Sequence, residues 1–63
     1  MDEILTQTDI DDALESTGAS ILDIDTVAVW SEEEEMYGVY VKHPANPVWE
    51  LQMTTIRLEP IMQ

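Results

Sequence analysis

The spacing of apolar positions changes along this chain, and each spacing predicts an element. Ile10, Ala13 and Leu14 form one stripe at helical spacing, with Asp11, Asp12 and Glu15 turned to water. Thr8 is placed as the N-cap, and Asp9, Asp11 and Asp12 favour the positive end of the helix dipole. Gly18 is placed to end the helix. A short helix with one apolar side needs a sheet to cover.

From Ile21 to Trp30 the period becomes two, which predicts a strand. Leu22, Ile24, Thr26, Ala28 and Trp30 share one face, and that face can be core throughout. Ile21, Asp23, Asp25, Val27 and Val29 share the other, which begins acidic and ends apolar, so Val27 and Val29 invite cover from another element or a second subunit. Ser31 to Glu35 contains no apolar residue and reads as a hairpin connection. A second strand follows over Met36 to His43, where Tyr37, Val39 and Val41 alternate with Gly38, Tyr40 and Lys42. Pro44-Ala45-Asn46-Pro47 then makes a turn.

Val48 to Glu59 supports two readings. As a strand, Trp49, Leu51 and Met53 alternate with Glu50 and Gln52, after which the parity passes to Ile56 and Leu58 through a bulge near Thr54-Thr55. As a helix, Asn46-Pro47 supplies an N-cap and first turn, and Trp49, Met53 and Ile56 line one side. The β-branched run Thr54-Thr55-Ile56 favours the strand, ended by Pro60. The expected fold is α+β: one short N-terminal helix packed on a three-stranded antiparallel meander, forming one domain over residues 1–63.

Charge changes the picture more than any motif does. Fourteen carboxylates face two cations, Lys42 and Arg57, for a formal net charge of −12. Burying an unpaired carboxylate is very costly, so most of these groups must lie on the surface. The resulting field repels nucleic acid and anionic membrane and attracts basic proteins. Colloidal stability of a small domain needs a net charge of only about 2 to 8, so solubility does not account for the excess. Disorder is opposed by the 44% apolar content, with two Trp and two Tyr in periodic positions.

Size and residue inventory set further bounds. A chain of 63 residues without cysteine lacks the disulfide support of many small domains, so packing, a homodimer or an obligate complex must stabilise it. The first residues show no basic segment or long apolar stretch of a signal peptide, and the longest apolar run, Val27 to Trp30, is far below the roughly 20 residues of a membrane span. These features read as cytoplasmic. A lone His43 before a proline, with no cysteine and no nucleophile motif, argues against an enzyme. An EF-hand loop begun at Asp9 would have Leu14 and Ser20 where glycine and glutamate are required, so no metal or other cofactor is expected.

The candidate partner-binding residues are therefore acidic: Glu32, Glu33, Glu34 and Glu35 in the hairpin, Asp23 and Asp25 spaced roughly 6.6 Å apart on one strand face, and Asp11, Asp12 and Glu15 on the helix. Tyr40, on the face shared with Lys42, is the exposed aromatic expected to anchor an interface. A row of such charges imitates the repeating phosphates to which nucleic-acid-binding grooves are matched. In size, charge and lack of catalytic apparatus the chain resembles the small acidic inhibitors of phages and mobile elements, including anti-CRISPR and anti-restriction proteins that mimic DNA. The resemblance implies a host nucleic-acid-binding complex as partner, blocked at its basic groove. The runner-up is a structural or adaptor subunit that dimerises or docks through apolar strand faces carrying Trp30, Val27 and Val29.

Overall fold

The computed structural model describes residues 2–16 and 18–57. The element order is β1 (Ile4–Thr6), α1 (Gln7–Glu15), β2 (Ala19–Asp23), β3 (Thr26–Ser31), β4 (Met36–Lys42) and β5 (Val48–Thr55). One antiparallel sheet of five strands, in the order β1-β5-β4-β3-β2, replaces the expected three-stranded meander. Its two edge strands, β1 and β2, are joined by the helix, which crosses one face of the sheet.

Two local effects account for the added strands. Ile21 to Trp30 is a hairpin and not one strand, because Asp23 and Asp25 act as turn residues. The Asp23 carboxylate accepts from the Ile24 N–H at 2.7 Å, and the Asp25 carboxylate accepts from the Thr26 hydroxyl at 3.1 Å. Ile24 stands at the tip, 94% exposed, instead of in the core. The second addition is β1, three residues that pair with the start of β5 through Ile4–Glu50, Leu5–Trp49 and Thr6–Val48.

The helix begins two residues earlier than Thr8 would start it. Thr6 is the N-cap, its hydroxyl accepting from the Asp9 N–H at 3.2 Å while the Asp9 carboxylate accepts from the Thr6 N–H at 3.0 Å. This reciprocal box satisfies two otherwise orphaned donors, a geometry that Asp9 can complete only with a residue three positions earlier. Ser16 is the C-cap, and the Gly18 N–H donates to the Ala13 carbonyl at 3.2 Å. The predicted apolar stripe holds: Ile10 is fully buried, and Leu14 packs beside it.

Ile10 meets Val27, Tyr40 and Trp49 of the sheet, with Leu5, Ala19, Val29 and Leu51 around them. Pairing places these strand residues on one face, since Val27 lies opposite Tyr40 and Tyr40 opposite Leu51. The second half of the chain follows the strand reading over Val48–Thr55. Its bulge is at Gln52, where Leu51 and Met53 pair with the adjacent Tyr40 and Val39, and not at Thr54-Thr55. The expected strand end at Pro60, with Leu58 and Glu59, lies outside the described residues.

Tyr40 is a further correction to the sequence reading. It is 2% exposed, and its hydroxyl donates to the Asp2 carbonyl. The parity of β4 is as expected, with Gly38, Tyr40 and Lys42 on one face, but that face is the one the helix covers. Lys42 stays exposed because it ends the strand.

Candidate functional site

Of the described carboxylates, Glu50 is half-buried and every other is exposed. No charged or polar residue among the described residues is buried. The sequence-predicted acids, together with Asp9, fall into three groups that the fold keeps apart.

The helix group consists of Asp9, Asp11, Asp12 and Glu15. Asp9 is engaged in the capping box, and Asp11 accepts from the Gln7 amide nitrogen at 3.1 Å. Gln7 in turn accepts from the Trp49 indole N–H at 3.0 Å, so this part of the acidic surface is tied to the core. Asp12 and Glu15 project into solvent.

The second group, Asp23 and Asp25, occupies the β2–β3 turn. Asp23 closes β2 and Asp25 lies in the turn, so the two do not form the expected row along one strand. Beside them is the 43–47 loop, linked by the Lys42 N–H donating to the Asp25 carbonyl at 2.9 Å. His43 holds that loop: its N–H donates to the Val48 carbonyl at 2.9 Å, and its Nδ1 accepts from the Ala45 N–H at 3.1 Å.

The third group is the β3–β4 turn, Glu32 to Glu35, held at its base by the Ser31–Met36 pair. The Glu34 N–H faces the Ser31 hydroxyl at 3.4 Å. Glu35 has φ 54°, a left-handed conformation that costs a residue with a Cβ about 1–2 kcal/mol and that glycine or asparagine usually fills. The six residues of β3 separate this turn from Asp23 and Asp25 by about 20 Å. The sequence-predicted acids therefore sit at opposite ends of the sheet and along the helix, and do not make one continuous row.

Asp2 is a further exposed acid, set beside Tyr40, that sequence reasoning did not single out. Burial raises the pKa of the Tyr40 hydroxyl above its ordinary 10.0, and the nearby carboxylates of Asp2 and Glu34 raise it further. Both carboxylates thus act on Tyr40 from nearby. The signal missing from the sequence was the pairing of β1 with β5, which carries Asp2 to Tyr40.

A different surface was also missed. The sheet face opposite the helix carries Ile4, Trp30, Tyr37, Val41 and Met53 around Ala28 and Val39, whose side chains are buried between these larger neighbours, and no described element crosses it. Trp30 is 37% exposed and Met53 48%, while the Trp30 and Tyr37 rings meet edge to face with centroids 4.9 Å apart. The same two rings, with Gly18, Ala19 and Ser20, line a shallow depression at the β2 edge. Val27, on the face opposite Trp30 and expected to be covered by another element or a second subunit, is 2% exposed beneath the helix and is unavailable to a partner.

Among the described residues, no three His, Asp or Glu side chains converge as a metal site. No described helix is long and apolar enough to cross a membrane. Comparison with known proteins finds no matching family, no similar curated protein and no similar solved structure.

Proposed function

We propose that this protein is a binder, not a catalyst, and that it inhibits a basic nucleic-acid-binding protein or complex by standing in for nucleic acid. The observation that carries this is the exposure of nearly all its carboxylates, fourteen against two cations. A net −12 over a longest dimension of 29 Å is about one charge per 2.4 Å. Duplex DNA presents about one per 1.7 Å, so a groove built for DNA meets a comparable charge density here. The acids surround the body in three patches, which suits a concave basic site closing around it better than a flat one. On this reading the protein acts in the cytoplasm of a host cell.

Capture from a bacterial lysate at low salt tests the proposal. Expected is recovery of a nucleic-acid-binding complex, released by rising salt and displaced by duplex DNA, because Lys and Arg that pair with a dense anionic surface release the cations held around it, a gain that salt removes. Changing Glu32, Glu33, Glu34 and Glu35 together to Gln should weaken capture and flatten its salt dependence while the circular dichroism spectrum stays unchanged. A partner held at high salt and indifferent to DNA overturns the reading.

A further inference from the structure

The open face of the sheet has a composition unlike the rest of the surface. The whole chain carries a net charge of −12, yet of the described carboxylates in the strands only Asp23, at the edge, and Glu50 share this face with Ile4, Trp30, Tyr37, Val41 and Met53. Asp23 and Asp25 bound the face at one end, and Glu32 to Glu35 bound it at the other. The result is an apolar strip between two acidic rims, exposed chiefly at Trp30, Met53 and Ile4, with Trp30 and Tyr37 already held against each other beside the Glu32 to Glu35 rim. Trp and Tyr are the residue types that dominate interface energetics, and a pre-ordered pair loses little freedom on binding. Large exposed apolar patches on small soluble domains mark interaction sites.

Charge decides what can occupy it. A second copy would bring its own −12 and set its rims against these, and nucleic acid or an anionic membrane has the wrong sign. We infer that this open sheet face is the docking surface of the proposed basic partner, and that it takes a protein surface with an apolar centre flanked by Lys and Arg. The inference rests on the inhibitor reading and deepens it: the rims steer and select a basic protein, and Trp30, Tyr37 and Met53 hold it. A plain polycation would satisfy the rims and leave the centre unused.

Two synthetic probes separate these contributions: a peptide of alternating Lys and Leu, and an oligolysine of equal charge, each titrated calorimetrically into the full chain. Expected is binding of both, with the Lys-Leu peptide tighter by about tenfold, the scale of one interface hot spot. Amide shifts on adding it should centre on Trp30, Tyr37 and Met53. Trp30→Ala should abolish the difference between the probes and leave oligolysine binding as it was. Met53→Lys, at a largely exposed position that leaves the core intact, should do the same if Trp30→Ala fails to fold. Equal affinity for both probes, with shifts confined to the turns and helix, overturns the docking face while leaving the inhibitor reading in place. Binding of neither probe overturns both, and concentration-dependent dimerisation that Trp30→Ala abolishes assigns the face to a second copy and overturns this inference.

Discussion

The two faces of the sheet each carry one tryptophan, and the two are used differently. Trp49 lies under the helix, 5% exposed, with its indole N–H donating to Gln7. Trp30 lies on the opposite face, 37% exposed, stacked edge to face on Tyr37. Both sit in strands between a valine and a polar residue, Val29 and Ser31 for Trp30 and Val48 and Glu50 for Trp49, so residue type and local pattern do not separate them. The difference is the position of one nine-residue helix. A small domain with a single helix can cover one sheet face, and whatever large residues lie on the other remain available for contact.

Substitution of the two tryptophans gives the largest test of that difference. Trp49→Ala should cost about 3–5 kcal/mol, the range for truncating a buried aromatic. A core of this size rarely provides more than about 3–5 kcal/mol in all, so the variant should be unfolded in urea titration from the start. Trp30→Ala should cost about 1 kcal/mol, chiefly the aromatic pair. Similar losses for both would mean that the open face is part of the stabilising core.

Tyr40→Phe probes the junction between the core and the acidic end, with a smaller effect. Losing the bond to the Asp2 carbonyl should cost about 1 kcal/mol near neutral pH. The alkaline limb distinguishes this bond from simple packing. Burial first, then Asp2 and Glu34, holds the Tyr40 hydroxyl in its neutral form with a raised pKa. That contribution is complete below pH 10.0, the ordinary tyrosine value, and is lost as pH climbs from there through the folded-state pKa. The melting temperature of the wild type should therefore fall more steeply above pH 10.0 than that of Tyr40→Phe, and parallel curves would remove Tyr40 from the account.

The smallest expected effect is a gain. Glu35→Gly should stabilise by about 0.5–1 kcal/mol, the relief of a left-handed Cβ less the greater chain entropy of glycine. Glu35→Gln removes the same charge without the backbone relief and should gain less in chemical denaturation. If both gain equally, repulsion within the turn outweighs its strain.

Much of this architecture was legible in advance. The helix stripe of Ile10 and Leu14, the strand at Met36–Lys42 and the choice of strand over helix for Val48–Thr55 follow from periodicity and β-branched content. The turn at Asp23-Ile24-Asp25 was hidden because an isoleucine at its tip continues the alternation of the strands on either side. Thr6 was hidden as a cap because Thr8 stands beside a denser run of aspartates. For the acidic residues, their exposure could be read from the charge balance, whereas their division into three separated patches could not.

By itself, the sequence determined the short-range facts: which residues alternate, where a one-sided helix forms, and that nearly all the acids must meet water. Its excess of carboxylates over cations settles the last point before any fold is known. Only the tertiary structure decided which side of the sheet is inside, because a period of two divides residues into two sets without saying which set the helix covers. It also decided the fates of Tyr40 and Trp30, and the place of Asp2, since β1 takes its hydrogen-bond partners from β5, at the far end of the chain. Such pairings depend on contacts that a local pattern does not contain.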